Sequence, residues 1–305
     1  MNGVGNLEIM IGMIENTVKR FKGGVKKVVL KIAFRTPLNS YRFFFVLVVS
    51  TLWIAYTSKR KIGNILEYKN ALKNPQKNIL FLFNYFLNKT YDRIFSRLIA
   101  EDPNKYLKYV CIEGAEYVRQ FMDNDRGVIL ITGHFGPVFR TLLFKEVFGI
   151  GPSSFMSADN KKVFCNSFTK KNQIISSFPI YVVGEENKFL EGLMRKEWVF
   201  FLNDVPLKKR ASCRHTLFGK NIYFSELPFK LAIKHNIPIL FIGTTRIKRQ
   251  YRLSIIPIDE FYTQEEGLEK YIALIEKMLC HDPYKGNCIA EECFKKIHYN
   301  YSELP

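Results

Sequence analysis

The sequence predicts an α/β protein: a mixed, mostly parallel sheet flanked by helices, with an N-terminal helical extension that associates with a membrane. Three observations support this prediction. From about residue 106 onward, short runs rich in Val, Ile and Phe alternate with helix-like segments, as strands alternate with covering helices. The chain has 305 residues, 47% hydrophobic residues and 27 phenylalanines, which favours a full core and argues against disorder. Residues 1–61 differ in being both basic and apolar.

The N-terminal 61 residues have the composition of a membrane-associating segment. Residues 7–34 mix apolar residues with six lysines and arginines, a composition typical of helices that lie at a membrane surface. Residues 43–56 then form a run of fourteen residues without a charge. A spanning helix needs roughly 20 apolar residues, so a half-inserted helix, a tilted span and a buried helix all remain open. The long basic region before this run excludes a signal peptide.

The remainder of the chain divides into a helical connecting region at 62–105 and an α/β domain at 106–305. Pro75 and Pro103 interrupt the connecting region. In the domain, β-prone runs predict strands at 109–112, 128–132, 179–183, 198–202, 238–243 and 251–257. Apolar residues at helical spacing predict helices at 114–122, 138–148, 185–195 and 226–235.

The net charge of +18 predicts an anionic partner. Half of this excess lies in residues 1–61, which carry eleven Lys or Arg and two Glu, and an acidic membrane surface or an acidic carrier protein would suit it. The chain has no zinc-finger spacing, RNP motif or long basic helix, so we expect no nucleic acid partner. Six cysteines without a CxxC pair predict reduced structural thiols and no metal centre.

Chemically useful residues follow three of the predicted strands. His134 stands in a Gly-His-Phe-Gly turn after the strand at 128–132, Asp204 follows the strand at 198–202, and Thr244, Thr245 and Arg246 follow the strand at 238–243. In α/β sheets, functional residues gather at the carboxyl ends of strands. A histidine there is suited to proton transfer, and the following helix N-terminus suits an oxyanion or a phosphate. Cys213 and His215 form a weaker candidate, a Cys–His nucleophile pair.

Six segments, in the same order along the chain, resemble the lipid A biosynthesis (lauroyl/myristoyl) acyltransferases of the lysophospholipid acyltransferase-like superfamily. They are Ile112-Glu-Gly, Gly127-Val-Ile-Leu-Ile-Thr-Gly-His-Phe-Gly, Phe200-Phe-Leu-Asn-Asp204, Leu217-Phe-Gly-Lys220, Leu227-Pro-Phe-Lys-Leu-Ala232 and Asn236-Ile-Pro-Ile-Leu240. The resemblance covers about residues 106–260. It implies an enzyme at the cytoplasmic face of the bacterial inner membrane, acting in lipopolysaccharide or related lipid metabolism.

The resemblance implies transfer of a fatty acyl group from a thioester on acyl carrier protein or coenzyme A to a hydroxyl of a lipid or glycolipid. No cofactor or metal is implied beyond that co-substrate. The family motif places an Asp or Glu after His and four further residues, but Phe139 occupies the acid position here. His134 would be the general base, with Asp204, a backbone carbonyl or a water orienting the ring in place of the missing acid.

The residues expected to contact substrate lie in three groups: the His134 turn, a basic loop after Asp204, and the segment around the Leu217-Phe-Gly-Lys220 motif with the strand end at 246. They are Gly133, Phe135, Gly136, Arg140, Lys208, Lys209, Arg210, Phe218, Gly219, Lys220 and Arg246.

Two non-catalytic alternatives remain open. Phe139 cannot accept a ring N–H, so the chain could be a degenerate family member that binds acyl chains, acyl carrier protein or a partner subunit. An adaptor recruited to anionic lipids by charge alone is the other.

Overall fold

This computed structural model describes residues 59–123, 125–134, 140–156, 161, 179–204, 213–247, 250–286 and 289–293. The chain divides into two compact units, one of residues 1–94 with 290–305 and the other of residues 95–289. The N-terminal membrane-associating segment predicted for residues 1–61 lies almost entirely outside the described residues, and the run at 43–56 lies wholly outside them. Among the described residues, no helix is both long and apolar enough to cross a membrane.

The described elements follow one another as short strands and covering helices. The helices are α1 (Lys59–Ala71), α2 (Asn78–Glu101), α3 (Pro103–Tyr106), α4 (Ala115–Met122), α5 (Arg140–Phe148), α6 (Glu186–Met194), α7 (Leu227–His235) and α8 (Gln264–His281). The strands are β1 (Val110–Glu113), β2 (Val128–Thr132), β3 (Ser153–Met156), β4 (Ile180–Val182), β5 (Trp198–Leu202), β6 (Cys213–Leu217), β7 (Lys220–Phe224), β8 (Ile239–Ile247) and β9 (Gln250–Ile258).

Seven of these strands form one mixed sheet in the order β1-β9-β8-β2-β5-β3-β4. Only the hairpin pair β8 and β9 is antiparallel within this sheet, and the other five pairings are parallel. Strands β6 and β7 form a separate antiparallel hairpin. The sequence-based prediction of a mostly parallel α/β sheet flanked by helices is therefore confirmed.

The central strand β2 is buried on both faces because helices cover both sides of the sheet. All five of its residues are buried, as continuous apolar runs in covered parallel sheets are. On one face, Phe144 of α5 contacts Trp198 and Phe200 of β5. On the other, Tyr271 of α8 contacts Phe241 of β8. The core thus holds the ends of β2 and β5 in fixed positions.

The sequence missed several elements and misplaced one strand end. Strands β3 and β7 and helix α8 were not predicted. Helix α8 begins with a capping box in which Thr263 and Glu266 exchange hydrogen bonds, a signal visible in the sequence. Thr244, Thr245 and Arg246 lie at the carboxyl end of a strand, as expected, but they lie within it: β8 continues past residue 243 to Ile247 because its hairpin pairing with β9 extends that far.

Helices α1 and α2 meet a partly buried carboxylate within the first unit. Glu291 forms ion pairs with Lys61 and Lys89 and accepts a hydrogen bond from Tyr85. Its backbone carbonyl also accepts a hydrogen bond from Asn64 Nδ2 at 2.8 Å. Burial alone would raise the pKa of Glu291, but the two lysines outweigh it and the pKa is lowered. Glu291, as a carboxylate, therefore joins helices α1 and α2 to the segment that carries it.

Gly127 shows how closely the chain segments before β2 and β5 approach each other. A Cβ atom at position 127 would collide with the backbone carbonyl oxygens of Glu197 and Leu193. We expect Gly127→Ala to lower the free energy of unfolding by about 1–3 kcal/mol, because backbone must move to admit the methyl group. Urea unfolding followed by tryptophan fluorescence measures this. Gly63→Ala, with open space around its Cβ, is the control, and equal stability of both variants would contradict the expectation.

The Glu291 cluster predicts a pH dependence of stability. Since folding lowers the pKa of Glu291, its contribution is fully present above the ordinary value near 4.5 and is lost as pH falls through the lower folded value. Glu291→Gln should cost about 1–3 kcal/mol at pH 7 and progressively less below pH about 4. Thermal melts of the full chain across this range provide the measurement. The exposed Glu269→Gln is the control, and a pH-independent difference from wild type would refute the assignment.

Candidate functional site

The candidate site lies where the parallel strands β2 and β5 end side by side. Their register pairs Thr132 with Leu202, the last residue of each strand. The two segments that follow these strands therefore leave the sheet side by side. One runs through Gly133 to His134, and the other runs through Asn203 to Asp204. Neighbouring strands lie about 4.8 Å apart, so the second residue beyond each strand falls within side-chain reach of the other.

Asp204 contacts His134 at two points. Its Oδ1 lies 2.8 Å from Nδ1 of the imidazole, and its Oδ2 accepts a hydrogen bond from the backbone N–H of His134 at 2.6 Å. The Asp204 side chain is fully buried, whereas that of His134 is 38% exposed. The expectation that Asp204 approaches His134 is confirmed: a carboxylate orients the ring although the usual motif position carries Phe139.

This geometry assigns a role to each ring nitrogen. An ionised carboxylate only accepts hydrogen bonds, so Nδ1 carries the proton in the contact with Asp204. The lone pair of a neutral imidazole is then on Nε2, the nitrogen from which a proton can be exchanged with a substrate. A histidine held by a carboxylate in one tautomer, with its ring partly open to solvent, has the arrangement of a general base.

Asn203 fixes the chain immediately before Asp204. Its side-chain amide donates to Ser225 O at 3.1 Å and accepts from Ser225 N at 2.9 Å. Its backbone N–H donates to Thr132 O at 2.8 Å, which continues the parallel pairing one residue past the strand end. Asn203 thereby links β2, β5 and the residue after β7, and it leaves Asp204 little freedom to move.

Thr132 is held from both faces of the sheet. Its hydroxyl donates to Ile242 O of β8 at 2.6 Å and accepts from Arg140 Nη1 at 2.8 Å. From the opposite face, the phenol of Tyr271 donates to Thr132 O at 3.0 Å. Arg140 also donates through Nη2 to Gly133 O at 2.7 Å. The turn that carries His134 therefore starts from a rigid base.

The charges of the site act on Tyr271. Its complete burial raises the pKa of the phenol well above the ordinary value, the negative charge of Asp204 raises it further, and Arg140 opposes this. Tyr271 therefore stays protonated at any physiological pH and serves as a permanent donor to Thr132 O. It supports the base of the turn and is not itself a candidate for proton transfer.

The structure brings some of the predicted substrate-binding residues to the site and not others. Gly133 is buried within the turn, and Arg140 is 6% exposed and points at that turn. Phe218 and Gly219 instead form the two-residue turn of the β6–β7 hairpin, both with positive φ, and Phe218 N donates to Glu276 on α8. The next residue, Lys220, is exposed at the start of β7.

The described contacts of Arg246 and Cys213 are with Asp282 and Glu226, respectively. Arg246 is part of β8, and its backbone N–H donates to Asp282 Oδ2 at 3.0 Å. Hydrogen bonding to Glu226 raises the pKa of the Cys213 thiol to about 11, with burial adding to the effect. A thiol with that pKa is protonated at pH 7, so Cys213 is not an activated nucleophile. The raised pKa therefore does not favour the Cys213–His215 pair as a nucleophile, and its role stays a prediction.

Several predicted residues lie outside the described part of the chain: Phe135, Gly136, Phe139, Lys208, Lys209 and Arg210. Their roles stay predictions. Within the described residues, no group of three or more His, Cys, Asp or Glu side chains is placed to hold a metal ion.

Sequence reasoning did not identify Thr132, Asn203 and Tyr271 as parts of the site. The position of Asn203 directly before Asp204, at a strand end, was a usable signal. Tyr271 offered none, because its hydroxyl reaches a carbonyl 139 residues away in the chain. Only its place on the apolar face of α8 could be read from the spacing of Leu268, Tyr271 and Ile275.

The contacts of Asn203 predict a cost when its amide is removed. Asn203→Ala leaves both backbone groups of Ser225 without their partner, and we expect the free energy of unfolding to fall by about 1–3 kcal/mol. The measurement is the chemical denaturation midpoint of the full chain. Asn221→Ala, in an exposed position of β7, is the matched control, and a loss no larger than that of the control would show that the amide does not brace the site.

No family model matches the chain, and no curated protein matches it significantly.

Proposed function

We propose that the chain is a membrane-associated O-acyltransferase that moves a fatty acyl group from a thioester donor to a hydroxyl of an amphipathic acceptor. The observation that carries this proposal is the 2.8 Å contact between His134 Nδ1 and the buried carboxylate of Asp204. It supplies the orienting acid that Phe139 cannot. The ordered motifs that resemble the lipid A biosynthesis acyltransferases point to acyl transfer among the reactions open to such a pair.

The reaction needs one base and one acid, and His134 serves as both in turn. Nε2 removes the proton from the acceptor hydroxyl while the oxygen attacks the thioester carbonyl carbon. The resulting imidazolium is stabilised by Asp204, which receives the Nδ1 hydrogen bond. When the tetrahedral intermediate collapses, the C–S bond breaks and Nε2 gives its proton to the departing thiolate. The products are the ester and the free thiol of the donor, and all protons balance.

The charge of the chain supports the proposed location and partners. A net charge of +18, half of it in residues 1–61, favours a surface of anionic lipids. The same sign favours an acidic acyl carrier protein as donor, with acyl-CoA as the other candidate. We therefore infer action at the cytoplasmic face of the bacterial inner membrane, on a lipid or glycolipid acceptor such as a lipid A precursor.

The competing proposal is a degenerate family member that binds acyl chains or an acyl carrier protein without catalysis. Phe139 in place of the motif acid favours it. A binding protein, however, has no need to hold an imidazole in one tautomer with a fully buried carboxylate. The catalytic proposal accounts for this arrangement and the binding proposal does not.

The test is an acyl transfer assay on the full chain in membranes, with lauroyl and myristoyl donors on acyl carrier protein and on coenzyme A. Released thiol and acylated lipid are both measured. We expect His134→Ala to lower kcat/KM about 10²- to 10⁴-fold through loss of the base. Asp204→Asn should lower it up to about 10⁴-fold, because an amide in place of the carboxylate favours the wrong tautomer.

Two exposed residues provide matched controls: His281→Ala and Asp259→Asn should keep wild-type rates, because neither belongs to the site. Full activity of Asp204→Asn would contradict the role of the carboxylate. Tight binding of acylated carrier protein by a wild-type chain that transfers no acyl group to any acceptor would favour the degenerate alternative.

A further inference from the structure

The peptide group between Gly133 and His134 lies between two opposite charges. Its carbonyl oxygen accepts a hydrogen bond from the Arg140 guanidinium at 2.7 Å. Its N–H donates to the Asp204 carboxylate at 2.6 Å. In a planar trans peptide these two bonds point in opposite directions. The cation therefore faces the negative end of the peptide dipole and the anion faces the positive end.

Both charges are removed from water, so their partners matter. Arg140 is 6% exposed and the Asp204 side chain is fully buried. A buried ion is tolerated when hydrogen bonds and an opposite charge compensate for its lost hydration. The peptide provides such a bond to each ion, and their charges compensate one another across it. The planar guanidinium also reaches Thr132 Oγ1 with its second nitrogen, a fork that lysine cannot reproduce.

From this geometry we propose that Arg140 is a positioning residue for catalysis: it clamps the Gly133–His134 peptide against Asp204 and keeps the imidazole in its reactive place. This differs from the substrate-binding role expected from the sequence. The kinetic part of the inference rests on the proposed acyl transfer, whereas its structural part, a charge-clamped His134, does not.

The clamp has two separable consequences. Geometrically, Arg140 fixes the plane of the peptide and hence the direction in which His134 leaves the backbone. Electrostatically, its positive charge opposes the imidazolium, while Asp204 favours it. Among the described residues, the titratable or charged groups around the Gly133–His134 peptide include Asp204, Arg140 and Tyr271. Of these, Tyr271 stays neutral. Removal of the arginine charge should therefore raise the pKa of His134.

The experiment that tests the role of Arg140 compares Arg140→Gln, Arg140→Lys and Thr132→Val in the full chain. For Arg140→Gln we expect kcat to fall about 10- to 100-fold, as for a misplaced catalytic group, with KM within about twofold of wild type. The acid limb of its pH–rate profile should move to higher pH by about half to one unit. Arg140→Lys should keep the acid limb in place but still lose rate, because the charge remains and the fork is lost.

Thr132→Val is the control for a purely structural effect. This variant removes the hydroxyl that accepts from Arg140 and should lower the stability of the fold. Because the arginine charge remains, the acid limb of the pH–rate profile should match that of wild type. Arg195→Gln, an exposed arginine elsewhere in the same unit, controls for loss of a charge in general and should change neither rate nor pH profile. A raised KM with unchanged kcat in Arg140→Gln would instead make Arg140 a substrate contact and overturn the proposal.

A second readout is independent of activity. The chain has five histidines, and NMR of histidine-labelled full chain reports the titration of each ring, with His134 assigned by its absence in His134→Gln. The proposal requires a higher pKa for His134 in Arg140→Gln than in wild type, even if no acyl transfer is found. An unchanged pKa overturns the electrostatic clamp whether or not the enzyme is active. If Arg140→Gln does not fold, wild-type kcat in Arg140→Lys overturns the geometric clamp.

Discussion

The candidate site depends on the double contact between Asp204 and His134. One carboxylate accepts from the backbone of His134 and from its ring, so the position of the residue and the orientation of its side chain are set by the same group. A carboxylate without exposure to water would be strongly unfavourable if either oxygen lacked a donor. The burial of Asp204 therefore depends on the two hydrogen bonds from His134, and the orientation of His134 depends on the same two bonds.

The surrounding structure is arranged to keep this pair in place. The parallel pairing of β2 and β5 delivers the two residues to the same edge, and the Asn203–Ser225 contacts prevent the Asp204 segment from drifting. Thr132, braced by Arg140 on one face and Tyr271 on the other, does the same for the His134 segment. The rigidity that catalysis requires thus comes from hydrogen bonds to backbone groups at strand ends.

The same solution for charged groups recurs away from the site. Glu197 accepts hydrogen bonds from Tyr181 at 2.6 Å and from Ser153 at 2.9 Å. Burial, followed by the hydrogen bond to Glu197, raises the pKa of Tyr181 to about 12, so the phenol remains a donor. Glu291 is held in the same manner by two lysines in the other unit. Glu197 and Glu291 are thus partly buried carboxylates whose hydrogen bonds and ion pairs fix the relative positions of the elements that they join.

The sequence by itself determined the α/β class, the buried strands at 128–132 and 198–202, and the presence of a histidine and an aspartate just beyond them, because apolar runs and strand ends are local features. It could not determine which strands are neighbours. Only the tertiary structure placed β2 beside β5 in the register that brings His134 and Asp204 together, 70 residues apart in the chain. The same holds for Tyr271, whose target carbonyl is chosen by helix packing, and for Arg140, whose guanidinium turns inward to the strand end. Local patterns specify which residues form strands, but contacts between distant segments decide which side chains act together.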